Sequence, residues 1–303
     1  MSTNPQFRVR FLSRLGALSL ITIGLVAGIA AAPATALQGA TLQATTLQAT
    51  TLQGTAATAV PSSGWSPPAS SSYVALGDSF TAGQGAPPYK AGACLQSKYA
   101  SYPSIAAAFS RLRLIENKAC SGATVADVGA QLVGVSASTK IVTLTVGAID
   151  AGSNDVLAAC APDPASPLCA AAIAASTAKL QALGPQLAGL YATIAATLPE
   201  AHVVVLNYPK LFNPGVAPLG DLVNTATDAL NAVIQGAVAA TANPRIIHVD
   251  VTQEFAGHGI GARLPYISFD QANLLAPANF HPNALGNALG YTRALANDGV
   301  LRR

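Results

Sequence analysis

The chain has 303 residues, enough for one or two ordinary domains. Charged residues make up only 10%, against about 25% in an average soluble domain. The 51% hydrophobic content excludes a disordered chain, and 16 Lys and Arg with a net charge of +3 do not supply the basic patch of a nucleic-acid binder.

In chain order, Arg8, Arg10 and Arg14 precede an apolar run over residues 15–32, then the small residues Ala34, Thr35 and Ala36. This is the pattern of an export signal, with residues 1–36 removed and no membrane insertion of the rest. A retained anchor is the alternative reading, because the run is close to the length that spans a bilayer. Residues 37–72 hold five-residue LQ repeats and a Pro- and Ser-rich stretch without a charge. They read as a flexible spacer, since such short repeats make no packing unit. A folded domain is expected over residues 73–303.

Strand signals fall at residues 73–77, 140–147, 202–209 and 245–250. Helical spacing covers residues 102–112, 170–198 and 220–240, and a last helix follows Pro282. Gly184-Pro185 predicts a kink or break within the second of these. Short apolar strands alternating with helices indicate an α/β domain with a mainly parallel sheet and helices on both faces. In such sheets the chemistry lies at the carboxyl edge of the strands.

Cys94, Cys120, Cys160 and Cys169 are an even set in an exported chain, which argues for two disulfides. Of the three possible pairings, sequence neighbours are the simplest: Cys94 with Cys120 and Cys160 with Cys169. No CxxC pair supports a zinc site. Asp250, Glu254 and His258 are spaced four apart but do not read as a metal cluster. No phosphate-cradling glycine motif is present, so neither a metal nor any other cofactor is expected.

The first strand ends in Gly77-Asp78-Ser79-Phe80-Thr81-Ala82-Gly83. A Ser there stands at the carboxyl edge, with glycines that let the backbone turn and amides approach a substrate oxygen. Asp78 reads as a turn carboxylate. Of the four histidines, His202 and His248 belong to strands and His258 to a Gly-rich loop. His281 precedes the last helix in Phe280-His281-Pro282-Asn283 and is the best candidate base.

GDSFTAG, the later Ala119-Cys-Ser-Gly-Ala-Thr124 and FHPNALG together resemble the blocks of the SGNH hydrolases, also called GDSL esterases and lipases. The resemblance spans residue 73 to the C-terminus. It implies a flavodoxin-like three-layer α/β/α fold and a secreted or cell-envelope serine ester hydrolase. The implied substrate is a small-molecule or lipid ester, and a monomer is expected. Carried over by motif, Ser79 is the nucleophile and His281 the general base. Backbone amides of Ser79 and Gly122 form the oxyanion hole. The neighbouring disulfides are also common in similar secreted members.

Two positions depart from the family pattern. Its third block places an Asn after a strand, where this chain has Ile149 in Gly147-Ala-Ile-Asp150. Asn154, in Gly152-Ser-Asn-Asp155, is the expected substitute donor. The family often has Asp three residues before its His, where this chain has Ala278. Similar members use a main-chain carbonyl, so that of Ala278 is expected to hold the imidazole, with Asp270 too loosely placed to be assigned. A catalytically silent cell-envelope binding protein is the alternative function.

Overall fold

A computed structural model describes residues 67–301. The expected export signal (1–36) and the spacer up to residue 66 lie outside the described residues. Five parallel strands form one sheet: β1 (Ser72–Gly77), β2 (Arg113–Asn117), β3 (Ile141–Thr145), β4 (His202–Leu206) and β5 (Ile246–Val249). Their order is β2-β1-β3-β4-β5, the flavodoxin-like arrangement. β1, β3 and β4 are buried along almost their whole length, which is why they read as unbroken apolar runs. The sequence reading misses β2. It is a largely exposed edge strand, Arg-Leu-Ile-Glu-Asn, and its Arg and Glu are the kind of edge charges that disfavour pairing with another chain.

The helices are α1 (Ser79–Ala82), α2 (Tyr102–Phe109), α3 (Val125–Ala130), α4 (Ser153–Cys160), α5 (Pro167–Thr197), α6 (Pro218–Ala240) and α7 (Thr292–Asn297). A π-helical turn, Gly286–Tyr291, leads into α7. The chain moves one way from β1 to β2 and the other way from β2 through β3 and β4 to β5. With right-handed crossovers throughout, α2 falls on one face of the sheet and α3, α5 and α6 on the other. Helix packing agrees: α5 contacts α3, α4 and α6, while α2 contacts the π-helical turn and α7. The result is the expected three-layer α/β fold.

α5 runs without a break through Pro185. Pro185 and Gln181, whose carbonyl loses its helical donor, both lie on the exposed side, where a carbonyl can turn to solvent. Leu183, Leu187, Leu190, Tyr191 and Ile194 form the buried stripe that holds the helix on the sheet. Both neighbouring disulfides are present, Cys94–Cys120 and Cys160–Cys169.

Candidate active site

β1 ends at Gly77, where the chain enters the left-handed half of backbone space at φ 128°. A Cβ there would stand 2.5 Å from the Thr145 carbonyl oxygen, so only glycine fits between β1 and β3. The Gln131 side chain clamps this residue, accepting from its N–H at 2.7 Å and donating to its C=O at 2.9 Å. Asp78 then caps α1. Its carboxylate accepts from the Phe80 N–H at 3.0 Å, from the Thr145 hydroxyl at 2.7 Å and from the Tyr208 hydroxyl. Burial pushes this carboxyl up to about 6, and the three donors pull against that shift. Ser79 follows, 7% exposed, at the β1/β3 point where the strand order reverses.

The Ser79 Oγ lies 2.8 Å from His281 Nε2. His281 stands on a loop held by two backbone bonds, Phe280 N–H to Ser268 O at 2.9 Å and Ser268 N–H to His281 O at 2.8 Å. Gly85 presses against this loop so closely that a Cβ would sit 2.5 Å from the His281 carbonyl oxygen. The imidazole packs against the Phe80 ring at 5.1 Å between centroids. Its Nδ1 faces the Asn279 carbonyl oxygen at 2.7 Å.

That carbonyl is a correction, because the one expected was Ala278's. The Ala278 carbonyl instead accepts from the His281 backbone N–H at 3.3 Å. Phe280 adopts φ 63°, a left-handed conformation uncommon for a bulky residue, and the resulting turn brings the nearer carbonyl to the ring. Asp270 does not serve either: its Oδ1 accepts from the N–H groups of Ala272 and Asn273. A carbonyl only accepts, so Nδ1 carries the proton and Nε2 offers its lone pair to the Ser79 hydroxyl. Burial lowers the imidazole to about 4, against a small upward pull from the Asn279 carbonyl, so the ring is neutral near pH 7.

Two backbone amides belong to the segments around Ser79. Its own N–H is the first of α1, one that a helix leaves without an internal acceptor. Gly122 sits in an exposed turn at φ 79°. The turn is tied on both sides of Ser79: Cys120 N–H donates to Gly77 O at 3.0 Å, and the Ser121 hydroxyl donates to Gln84. Neither the Ser79 nor the Gly122 amide has an acceptor among the described residues. Ile149 and Asn154 both line a pocket of about 120 Å³ that opens on Ser79 and His281. Asn154, in the first turn of α4, is exposed and makes no hydrogen bond to Ser79, His281 or Gly122. The rest of the pocket wall is mainly apolar, with Leu157, Leu180, Val223 and Leu230 contributed by α4, α5 and α6.

Residues 75–289 match the model of the GDSL-like lipase/acylhydrolase family. The chain belongs to the GDSL-like lipase/acylhydrolase family. This GDSL-like hydrolase is 36% identical over 231 residues to a lipase of Streptomyces rimosus, covering 74% of this chain and 85% of that one. It is 34% identical over 240 residues to Lipase 1 of Streptomyces coelicolor, covering 76% and 87%. Two crystal structures, the extracellular lipase from Streptomyces rimosus and phospholipase A1 from Streptomyces albidoflavus NA297, each superpose with a TM-score of 0.68. Their identities are 34% and 32%, and each match covers 76% of this chain and 100% of the other. The GDSL-like hydrolase is therefore a serine ester hydrolase, as the motif blocks imply.

Elsewhere in the GDSL-like hydrolase, the remaining histidines stay away from this pocket. His258 stacks on Tyr266 at 3.9 Å and its Nδ1 faces the Leu264 carbonyl. Asp250, Glu254 and His258 share no helix face, because the segment after β5 is a series of turns. Asp250 accepts from Asn207 and Glu254 from Asn297. Sequence reasoning misses Asn279, which no motif marks, and Tyr208. Tyr208 stands just past the end of β4, at the sheet edge where functional groups are expected.

Proposed function

We propose that the chain is an exported ester hydrolase working through an acyl-enzyme, with Ser79 as nucleophile and His281 as general base. The observation that carries this reading is the 2.8 Å contact between Ser79 Oγ and His281 Nε2, with Nδ1 held by the Asn279 carbonyl. His281 takes the Ser79 proton as Oγ bonds to the ester carbonyl carbon. The negative charge moves to the carbonyl oxygen. The free amides of Ser79 and Gly122, joined by the Asn154 side chain from the pocket wall, stabilise that oxyanion. Collapse breaks the ester C–O bond, and His281 passes its proton to the departing alkoxide. A water molecule then attacks the acyl-enzyme, giving its proton to His281, and the same proton returns to Ser79 as the acid leaves.

The apolar pocket wall supports an acyl chain as the part of the substrate held there, in agreement with relatives described as lipases and a phospholipase A1. Export rests on the leader pattern of residues 1–36 and on a relative described as an extracellular lipase. Among the described residues no helix is long and apolar enough to cross a membrane. Fluorophosphonate labelling tests the assignment. The wild type should take one label at Ser79, and Ser79→Ala should take none and lose hydrolysis of p-nitrophenyl esters. An unlabelled wild type would instead favour the silent binding protein.

A further inference from the structure

The carbonyl that holds His281 belongs to a residue whose own side chain is tied down, and we propose that the Asn279 side chain is a positioning residue for His281. The proposal rests on the reading of Ser79 and His281 as the catalytic pair. Asn279 is 6% exposed. Its Oδ1 accepts from the Asp270 N–H at 2.7 Å, and its Nδ2 donates to the Asn273 carbonyl at 2.9 Å. Its backbone N–H donates to the Ala276 carbonyl at 3.0 Å. The turn it grips is closed in turn by the Asp270 carboxylate, which accepts from Ala272 and Asn273 at 2.9 and 3.2 Å.

These ties matter because of what replaces the usual acid. A carboxylate offers two oxygens and a full charge to an imidazole, and so tolerates some misalignment. A peptide carbonyl offers one oxygen in the direction set by its peptide plane. Rotation of the 279–280 peptide takes that oxygen off Nδ1 and frees the ring to adopt the wrong tautomer or angle. Residues 271–275 are exposed, and from outside the loop the Gln84 side chain donates to the Pro277 carbonyl, which leaves the Asn273 end to the Asn279 amide. The Asn279 amide couples the loop to the peptide plane with one acceptor and one donor, a combination that neither Ala nor Asp supplies. Asn279→Asp keeps the acceptor for the Asp270 N–H and loses the donor to Asn273. Asn279→Ala loses both.

The test is steady-state hydrolysis of a soluble p-nitrophenyl ester by the wild type, Asn279→Ala, Asn279→Asp and His281→Ala. Rates are normalised to the number of Ser79 sites labelled by a fluorophosphonate at completion. Misplacement of a catalytic group by about 1 Å costs on the order of 10²-fold. The expected result for Asn279→Ala is a kcat per labelled site lower by about 10- to 100-fold, with KM within about twofold of wild type. Asn279→Asp should lose less. A purely structural role would reduce the number of labelled sites and leave kcat per site unchanged, and that result overturns the proposal, as does a loss confined to KM. If Asn279→Ala does not fold, Asn279→Asp decides by the same criteria. Wild-type activity in His281→Ala would sink the catalytic pair itself, whereas an inactive His281→Ala beside a normal Asn279→Ala sinks only the positioning role.

Discussion

Ser79 has an ionisable neighbour on each side, and burial moves the two in opposite directions. His281 falls from 6.5 to about 4, and Asp78 rises from 3.8 to about 6. With His281 as the proposed base and its ring neutral far into acid, the acid limb of kcat/KM for a soluble ester should have its midpoint near pH 4. A midpoint at the ordinary imidazole value of 6.5 would contradict that burial. In stability the signs differ. The His281 contribution is present above 6.5 and is lost as pH falls through about 4. The Asp78 contribution is present below 3.8 and is lost as pH rises through about 6. Across the shared window they oppose, so these two groups leave stability nearly flat there. The proposed oxyanion hole gives a second test at this scale. Asn154→Ala should lower kcat about 10²-fold if the side chain supplies the donor that Ile149 cannot. Unchanged turnover of labelled enzyme would show that two amides suffice.

Among the elements, α5 shows how packing overrides a local breaker. Pro185 removes one backbone bond on the solvent side, while five large apolar side chains stay seated on the sheet side. Restoring the N–H should therefore help. Pro185→Ala is expected to stabilise by about 1–2 kcal/mol, the helical gain less the added freedom of the unfolded chain. A thermal melt that moves down instead would mean that α5 depends on the shape the proline imposes. α4 is short, but it carries Asn154, Val156 and Leu157 to the pocket. Its sequence, Ser-Asn-Asp-Val-Leu-Ala-Ala-Cys, lacks a side-chain cap and is not legible as a helix.

Across the whole molecule, the two disulfides brace different segments that lead to the site. Cys94–Cys120 anchors the turn that carries Gly122, and Cys160–Cys169 joins α4 to the start of α5. Each should stabilise by about 3 kcal/mol in the chain-entropy model. Paired Cys→Ser variants separate their roles. Losing Cys94–Cys120 should lower both the urea midpoint and kcat, because it loosens the Gly122 amide proposed for the oxyanion hole. Losing Cys160–Cys169 should lower the midpoint by a similar amount but raise KM for long-acyl esters, because it loosens the pocket wall. Equal kinetic effects from both would argue against that division.

The sequence by itself determined the α/β class, the core strands, the expectation of two disulfides and, through the resemblance, the two residues that meet at 2.8 Å. Each of these rests on a local signal: an unbroken apolar run, a count of cysteines, or a short motif at a strand end. The charge excess was equally local, since Arg8, Arg10 and Arg14 alone account for the net +3. Only the tertiary structure decided which carbonyl faces His281, because the left-handed turn at Phe280 shifts the choice by one residue. It alone revealed β2, whose stability comes from pairing with β1 and not from its own composition. It alone also showed Tyr208 on Asp78, 130 positions apart. Contacts between distant segments follow from how the sheet folds the chain, and no local pattern of residues encodes their geometry.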